Sequence, residues 1–436
     1  KYPGGLFFQK DDGTFEQQKF KILLEDRKHE DIGSLIFDAD NDGDNDLYIV
    51  SGGNEFKSGS PMLNDRLYIN QGNGEFVKSY NALPPISESG SRVYAYDFDK
   101  DGDKDLFVGG RLVPSNYPYP ASSYILENIS EVGKPKFRNI TQKIAPGLGR
   151  IGLVTAAQWF DYDNDGWQDL AITGEWMQVR VFKNNKGQGF TETTEKLGLK
   201  DTRGWWFSLV ADDIDNDGDM DLIGGNLGDN YKYKASDDAT FDVYLNDFDG
   251  NRTNDIVLSY YNEGKQYPVR GRECSSQQIP SIKKKFKNYN EFSTATLIDV
   301  YNEKKLENAI HYQVSSFKSA VFVNDNGEFI RRDLPLRAQI APTNQILVKD
   351  FDLDGIKDMI LGGNLYASEV ETPRADAGYG TFLKGEKDVS FNALSAVKTG
   401  LFIDGDVKDL AIIQVQGKPY ILVAKNNDFL KFVAIL

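Results

Sequence analysis

Asp38-Ala-Asp40-Asn-Asp42-Gly43-Asp44-Asn-Asp46, running directly into Leu47-Tyr-Ile-Val, is the stretch whose reading decides the fold. Five further stretches keep its spacing: Asp97-Phe-Asp99-Lys-Asp101-Gly102-Asp103-Lys-Asp105, Asp161-Tyr-Asp163-Asn-Asp165-Gly166-Trp167-Gln-Asp169 and Asp213-Ile-Asp215-Asn-Asp217-Gly218-Asp219-Met-Asp221, then Asp247-Phe-Asp249-Gly-Asn251-Arg252-Thr253-Asn-Asp255 and Asp350-Phe-Asp352-Leu-Asp354-Gly355-Ile356-Lys-Asp358. After each comes a short apolar run, such as Leu-Phe-Val-Gly or Met-Ile-Leu-Gly, that reads as a β-strand and not as an amphipathic helix. Six copies in register predict a repeat architecture with a metal requirement.

Carboxylates at positions 1, 3, 5 and 9 of one small loop repel one another by roughly 4 kcal/mol per pair at about 4 Å and an effective dielectric near 20. A hard divalent cation relieves that repulsion. Calcium fits better than magnesium because it accepts about 6 to 8 oxygens of mixed type in a flexible shell. Glycine at position 6 suits a sharp turn with positive φ. In the Asp247 loop, Arg252 replaces that glycine and Asn251 an aspartate, so this loop is expected to bind last. An EF-hand is excluded, since position 12 is Ile49, Val108, Ile172, Gly224, Leu258 or Leu361 and none of these can ligate. The competing reading is a set of acidic turns solvated without metal.

A net charge of −16 over 436 residues traces to these loops. They hold 26 of the 66 acidic residues and four of the 50 basic ones, leaving 40 acidic against 46 basic elsewhere. Six calcium ions would bring the total near −4, so the composition predicts neither nucleic-acid binding nor electrostatic attachment to a membrane. No run of 18 apolar residues is present, which excludes direct membrane insertion by a helix. A single cysteine, Cys274, excludes an internal disulfide framework. Weak calcium modules belong outside cells, and the opening Lys1-Tyr-Pro-Gly-Gly reads as a piece of a longer chain.

A second repeat interleaves with the first. Asp12-Gly13-Thr14-Phe15, Asn73-Gly74-Glu75-Phe76, Gly187-Gln-Gly189-Phe190 and Asn326-Gly327-Glu328-Phe329 are turns closed by phenylalanine, with looser versions ending at Phe137 and Phe391. Asn-Gly between apolar alternations is a hairpin signal. The repeating unit is therefore strand, acidic loop, two strands, hairpin, strand, and four-stranded units recurring every 40 to 60 residues or so predict an all-β, seven-bladed β-propeller spanning 1–436 as one domain. The seventh blade is read from a degenerate loop, Phe402-Ile-Asp404-Gly405-Asp406-Val-Lys-Asp409-Leu410. Residues 279–310, with Ile282, Phe286, Phe292, Leu297, Val300 and Leu306 among lysines and glutamates, are expected to be a helical insertion in the fifth blade. An eighth blade in the gap between the Asp247 and Asp350 loops is the alternative. Residues 4–17 are expected to pair with the C-terminal strands and close the ring.

These loops and hairpins resemble the FG-GAP/VCBS repeats of integrin α-subunit propellers, cartilage acidic protein and bacterial surface proteins. From Asp247 onward the order of features resembles the C-terminal propeller of large bacterial VCBS-repeat proteins. The resemblance implies five or six Ca2+ ions held by the aspartates above, with the position-7 carbonyls of Asp44, Asp103, Trp167, Asp219, Thr253 and Ile356 completing each cage. It also implies a non-enzymatic module on the bacterial cell surface, associated with the outer membrane, for adhesion or complex assembly. Its partners would be other surface or outer-membrane proteins, or a glycan. The rival readings are a lectin, resting on Trp159, Trp176, Trp205, Trp206 and Tyr117-Pro-Tyr119, or a polysaccharide lyase or glycosidase. With only His29 and His311 in the chain, a histidine metal cluster is excluded.

Overall fold

The computed structural model describes residues 4–72, 74–368 and 372–435; Lys1 and Asn73, which entered the readings above, lie outside them. The first sheet comprises Asp31–Phe37, Asp46–Ser51, Arg66–Asn70 and Phe76–Ser79, all antiparallel and in sequence order. A second repeats the plan with Ser89–Tyr96, Asp105–Leu112, Tyr124–Asn128 and Phe137–Asn139. In the third, Leu153–Phe160, Asp169–Met177, Arg180–Asn184 and Phe190–Glu192 are joined by the short strand Gly204–Trp205. Every acidic loop connects two adjacent strands of one sheet. The first strand of each sheet packs on the first strand of the next, and the apolar clusters lie between successive sheets.

The fourth sheet departs from the expected series. Ser208–Asp212 and Asp221–Gly225 are followed by an excursion of 94 residues, after which Ala320–Asp325 and Glu328–Asp333 complete the sheet, with Leu222 opposite Phe322. The excursion holds its own four-stranded sheet, ordered Lys265–Pro268, Asp255–Asn262, Phe241–Asn246, Ile310–Val314, and the Asp247 loop belongs to it. That loop therefore does not open the next unit of the series, contrary to the expectation of a fifth blade there. Five short helices, Arg272–Gln278, Ser281–Lys285, Tyr289–Ser293, Leu297–Tyr301 and Glu303–Glu307, lie along the chain between Lys265–Pro268 and Ile310–Val314, the two edge strands of the inserted sheet. Their Ile282, Phe286, Phe292, Leu297, Val300 and Leu306 are buried with Tyr244, Phe248 and Val257, while Lys283, Lys284 and Lys285 are exposed. Burial of that one face holds helices too short to be stable alone.

The series resumes with Thr343–Lys349, Asp358–Gly363, Thr381–Gly385 and Phe391–Leu394, then a three-stranded sheet of Val407–Val415, Lys418–Lys425 and Lys431–Ala434. The degenerate Asp404–Asp409 stretch runs into the first of these three strands and does not connect two strands, because the turn between the first two is Gln416-Gly417. At the N-terminus, Leu6–Gln9 and Phe15–Gln18 pair with each other and add no strand to another sheet. This hairpin reaches the last sheet through side chains: Gln9 donates to the Gln414 carbonyl at 2.9 Å, Gln416 donates to that of Asp12 at 2.7 Å, and Phe15 packs on Phe432. Phe8 packs on Phe20, which meets Phe76 of the first sheet. The hairpin thus links the first and last sheets through rings and amides, where strand pairing was expected.

Candidate metal centres

All six loops fold on one hydrogen-bond scaffold. The position-6 N–H donates to the position-1 carboxylate in each: Gly43 to Asp38 at 3.1 Å, Gly102 to Asp97 at 3.1 Å, Gly166 to Asp161 at 2.8 Å, Gly218 to Asp213 at 3.1 Å, Arg252 to Asp247 at 2.7 Å and Gly355 to Asp350 at 2.9 Å. The position-7 N–H donates to position 5, as from Asp44 to Asp42 at 3.1 Å, Asp103 to Asp101 at 3.2 Å, Asp219 to Asp217 at 2.9 Å and Thr253 to Asn251 at 2.7 Å. Positive φ occurs at positions 4 and 6 alike, Asn41 at 60° and Gly43 at 93° in the first loop. In the Asp247 loop the glycine has moved to position 4, Gly250 at 82°, and Arg252 itself adopts 70°.

Position 9 has a second duty that the sequence reading missed. Asp46 accepts the Asn70 N–H at 2.8 Å and the Ala39 N–H at 2.9 Å, which ties the loop to the third strand of its sheet. Asp169, Asp221 and Asp358 do the same with Asn184 and Tyr162, Asn324 and Ile214, and Gly385 and Phe351. Burial is the leading cause that pushes these carboxyls up, to about 7 for Asp46, Asp169 and Asp221 and about 8 for Asp105. Asp103 rises to about 7 through burial and then the charges of Asp101, Asp99 and Asp97. Keeping such buried carboxyls ionised together at neutral pH needs compensating positive charge.

The asparagine that closes the third strand is a further unforeseen part. Asn128, Asn184 and Asn324 each donate through Nδ2 to the position-2 carbonyl of the preceding loop in the series, those of Ala39, Phe98 and Tyr162, at 3.3, 2.9 and 2.8 Å. Its signal was an asparagine recurring at or next to the end of the third strand in the first four sheets, Asn70, Asn128, Asn184 and Asn324, ahead of the hairpin turn, with Gly385 in that place in the fifth. Position 4 makes the complementary link. Lys100 Nζ reaches the Gly166 carbonyl at 2.6 Å, Asn164 reaches the Gly218 carbonyl at 3.1 Å, and Asn216 reaches the Gly355 carbonyl at 3.4 Å. The Asp97, Asp161, Asp213 and Asp350 loops therefore lie in one row, and the row passes over the Asp247 loop.

Fitness for an ion differs among the loops. In the Asp38 loop, Asp40 is 1% exposed and neither of its oxygens has a partner, and Asp38 Oδ1 and Asp44 Oδ1 are likewise buried and unpaired. Asp97, Asp103 and Asp105 leave three such oxygens in the second loop, and Asp215 leaves one in the fourth. Burying unpaired carboxylate oxygens costs several kcal/mol unless a cation takes them, so these residues fit calcium. Ligand-competent oxygens of Asp38, Asp40 and Asp42, and of Asp97, Asp99 and Asp101, lie within 4.8 Å of one another. The Asp161, Asp213 and Asp247 loops gather positions 1, 3 and 9 in the same way.

The aromatic groups behind the lectin reading are partly committed to packing, with Trp205, Tyr117 and Tyr119 half-buried and Tyr119 covered by Arg150. Trp159, Trp176 and Trp206 are buried, Trp205 packs among Trp176, Tyr233, Phe241 and Phe317, and Tyr117 donates to Glu175 while accepting from Trp176 Nε1 at 2.6 Å. His29 contacts the Met62 carbonyl, and His311 stacks on Tyr244. Among the described residues no helix is long and apolar enough to cross a membrane.

Comparison with known proteins places the first two pairs of sheets. Residues 38–108 and 161–224 match the FG-GAP-like repeat family, so the chain carries FG-GAP-like repeats. No curated protein matches the chain. Among solved structures, it is similar to the V. cholerae biofilm matrix protein Bap1, at 9% identity and a TM-score of 0.30, covering 91% of this chain and 85% of that one. It is also similar to BBS1N, solved in complex with ARL6DN, at 9% identity and a TM-score of 0.33, covering 94% and 93%. Neither likeness is close enough to carry an argument.

Proposed function

We propose that the chain is a calcium-stiffened β-propeller, its ring made of the six serial sheets and closed by the N-terminal hairpin, with the Asp247 sheet and its helices as an appendage. The ions are structural. Calcium, when bound, supplies the positive charge that lets buried aspartates stay ionised; the chain's own residues hold the loops in register through positions 4 and 9 and the third-strand asparagines. The observation that carries this reading is the set of buried, unpaired oxygens on Asp38, Asp40 and Asp44.

With its carboxylates committed to ions and its tryptophans to the core, the module binds and does not catalyse. We assign it to adhesion or complex assembly outside the cell, on a bacterial surface, where weak calcium sites of about 10⁻⁴–10⁻³ M are filled. Its partners are other surface or outer-membrane proteins, with glycan as the second choice. A loop filled at about ten times its dissociation constant contributes about 1.4 kcal/mol by mass action. Thermal unfolding should therefore shift down by many degrees on chelation with EDTA and recover with calcium. An unchanged melting temperature would remove calcium from the account.

A further inference from the structure

Two of the loops already contain a cation. Lys183 Nζ lies between the carboxylates of Asp163 and Asp165, bonded to both and 3.0 Å from the second. Lys384 Nζ repeats this with Asp352 and Asp354, 2.7 Å from the latter. Both lysines occupy the same place in the repeat, the residue before the one whose N–H binds the position-9 aspartate. In the Asp38, Asp97 and Asp213 loops that place holds Ile69, Glu127 and Val323. The partition is matched by a separate observation: among the described residues, buried unpaired carboxylate oxygens occur in the Asp38, Asp97 and Asp213 loops and in neither loop that carries a lysine. In the degenerate Asp404 stretch, Lys431 lies 3.2 Å and Lys425 3.8 Å from Asp404, neither spans two loop carboxylates, and Asp406 Oδ1 is buried without a hydrogen bond.

We infer that Lys183 and Lys384 are built-in counter-ions that replace calcium in the Asp161 and Asp350 loops, so that this third-strand residue decides which loops of the repeat take an ion. An ammonium is a compact point charge on a flexible stem, and here it occupies the space between positions 3 and 5, where an ion would need those same two carboxylates. Calcium must displace it and leave a lysine without its partners. Loops with an isoleucine, valine or glutamate at that place offer no such competitor. The inference rests on the calcium reading above, and it divides the five loops of the ring into ion-dependent and ion-independent stiffeners.

The test is calcium stoichiometry by native mass spectrometry of the whole chain, at a concentration that saturates the wild type, for Lys183→Met, Lys384→Met and the double variant. Methionine keeps most of the stem and removes the charge. Each single variant is expected to hold one ion more than the wild type, and the double variant two more. Terbium gives a second readout, because Trp167 lies in the Asp161 loop: Lys183→Met should gain sensitised emission that Trp167→Phe abolishes. Equal stoichiometry in wild type and variants, with ions present, overturns the inference and leaves the calcium reading standing. No ions in any of the four proteins sinks both. Should one variant fail to fold, the other decides the matter alone.

Discussion

The Asp38 and Asp247 loops share a backbone but not a setting. Both tie position 6 to position 1 and position 7 to position 5. The Asp38 loop has four buried carboxylate oxygens without partners. In the Asp247 loop, Asp247 Oδ1 accepts from Gly250 at 2.6 Å and Asn251 at 3.0 Å, and no oxygen is left buried and unpaired. The nine-residue motif thus folds as an autonomous turn, and its surroundings decide whether it needs an ion. Motif matching finds the turn; the need for metal is read from burial and pairing.

The largest expected effect separates the two loops at position 9. Asp46→Ala leaves the Asn70 and Ala39 N–H groups unsatisfied, at roughly 1–3 kcal/mol each, so about 2–6 kcal/mol in all. Among the described residues Asp255 accepts a single N–H, that of Phe248 at 2.9 Å, and Asp255→Ala should cost about half as much by urea denaturation. Equal losses would mean that the two loops are braced alike.

Acid should act next, and with opposite signs in the presence and absence of calcium. Burial raises the carboxyls of Asp46 to about 7, Asp105 to about 8 and Asp255 to about 6, all above the unfolded range near 4. A raised folded value means that the folded state binds more protons, so this contribution is fully present below about 4 and is lost as pH rises through 6 to 8. Metal-free protein in EDTA should therefore melt higher at pH 5.5 than at pH 8. Calcium needs the ionised form, so the calcium-induced shift in melting temperature should grow over the same interval. A chelated protein that melts lower at pH 5.5 contradicts the burial argument.

Asp40→Ala and Asp249→Ala sharpen the comparison at position 3. With calcium at about ten times the dissociation constant, Asp40→Ala should lose about 1.4 kcal/mol together with one ion. In EDTA it should lose nothing, because the carboxylate it removes is buried and unpaired. Asp249→Ala should change little under either condition. Calorimetric unfolding with and without chelator distinguishes the pair.

Much of this was legible in the chain and some was not, for physical reasons. Loops, the strands after them and the hairpins are local features, fixed by residues within about nine positions of one another, and they fall where spacing put them. The inserted sheet was not legible: its strand, loop and strand are locally the same as any other unit, and only the pairing of Leu222 with Phe322, across 100 residues, reveals that the fourth sheet was interrupted. Lys183 and Lys384 were invisible for the same reason, since their approach to the loop depends on a register set two strands away. The asparagines at 128, 184 and 324 recur visibly, but their partners belong to the preceding loop of the series.

The smallest expected effect concerns the substitution that marked the Asp247 loop as defective. Arg252 holds φ at 70°, where a side chain costs about 1–2 kcal/mol, while Gly250 two residues earlier takes the other left-handed position at 82°. Arg252→Gly removes that strain but loosens the unfolded chain by about 0.5–1 kcal/mol, so the net gain is at most about 1.5 kcal/mol. The mirror experiment is Gly43→Ala. A Cβ at Gly43 would meet nothing within 4 Å, so its loss is conformational alone, about 1–2 kcal/mol, partly offset by the stiffer unfolded chain. Opposite signs for the two substitutions, measured in EDTA to keep ions out of the comparison, are expected if one backbone serves both loops. The same sign for both would show that the Asp247 loop relaxes its turn where the Asp38 loop cannot.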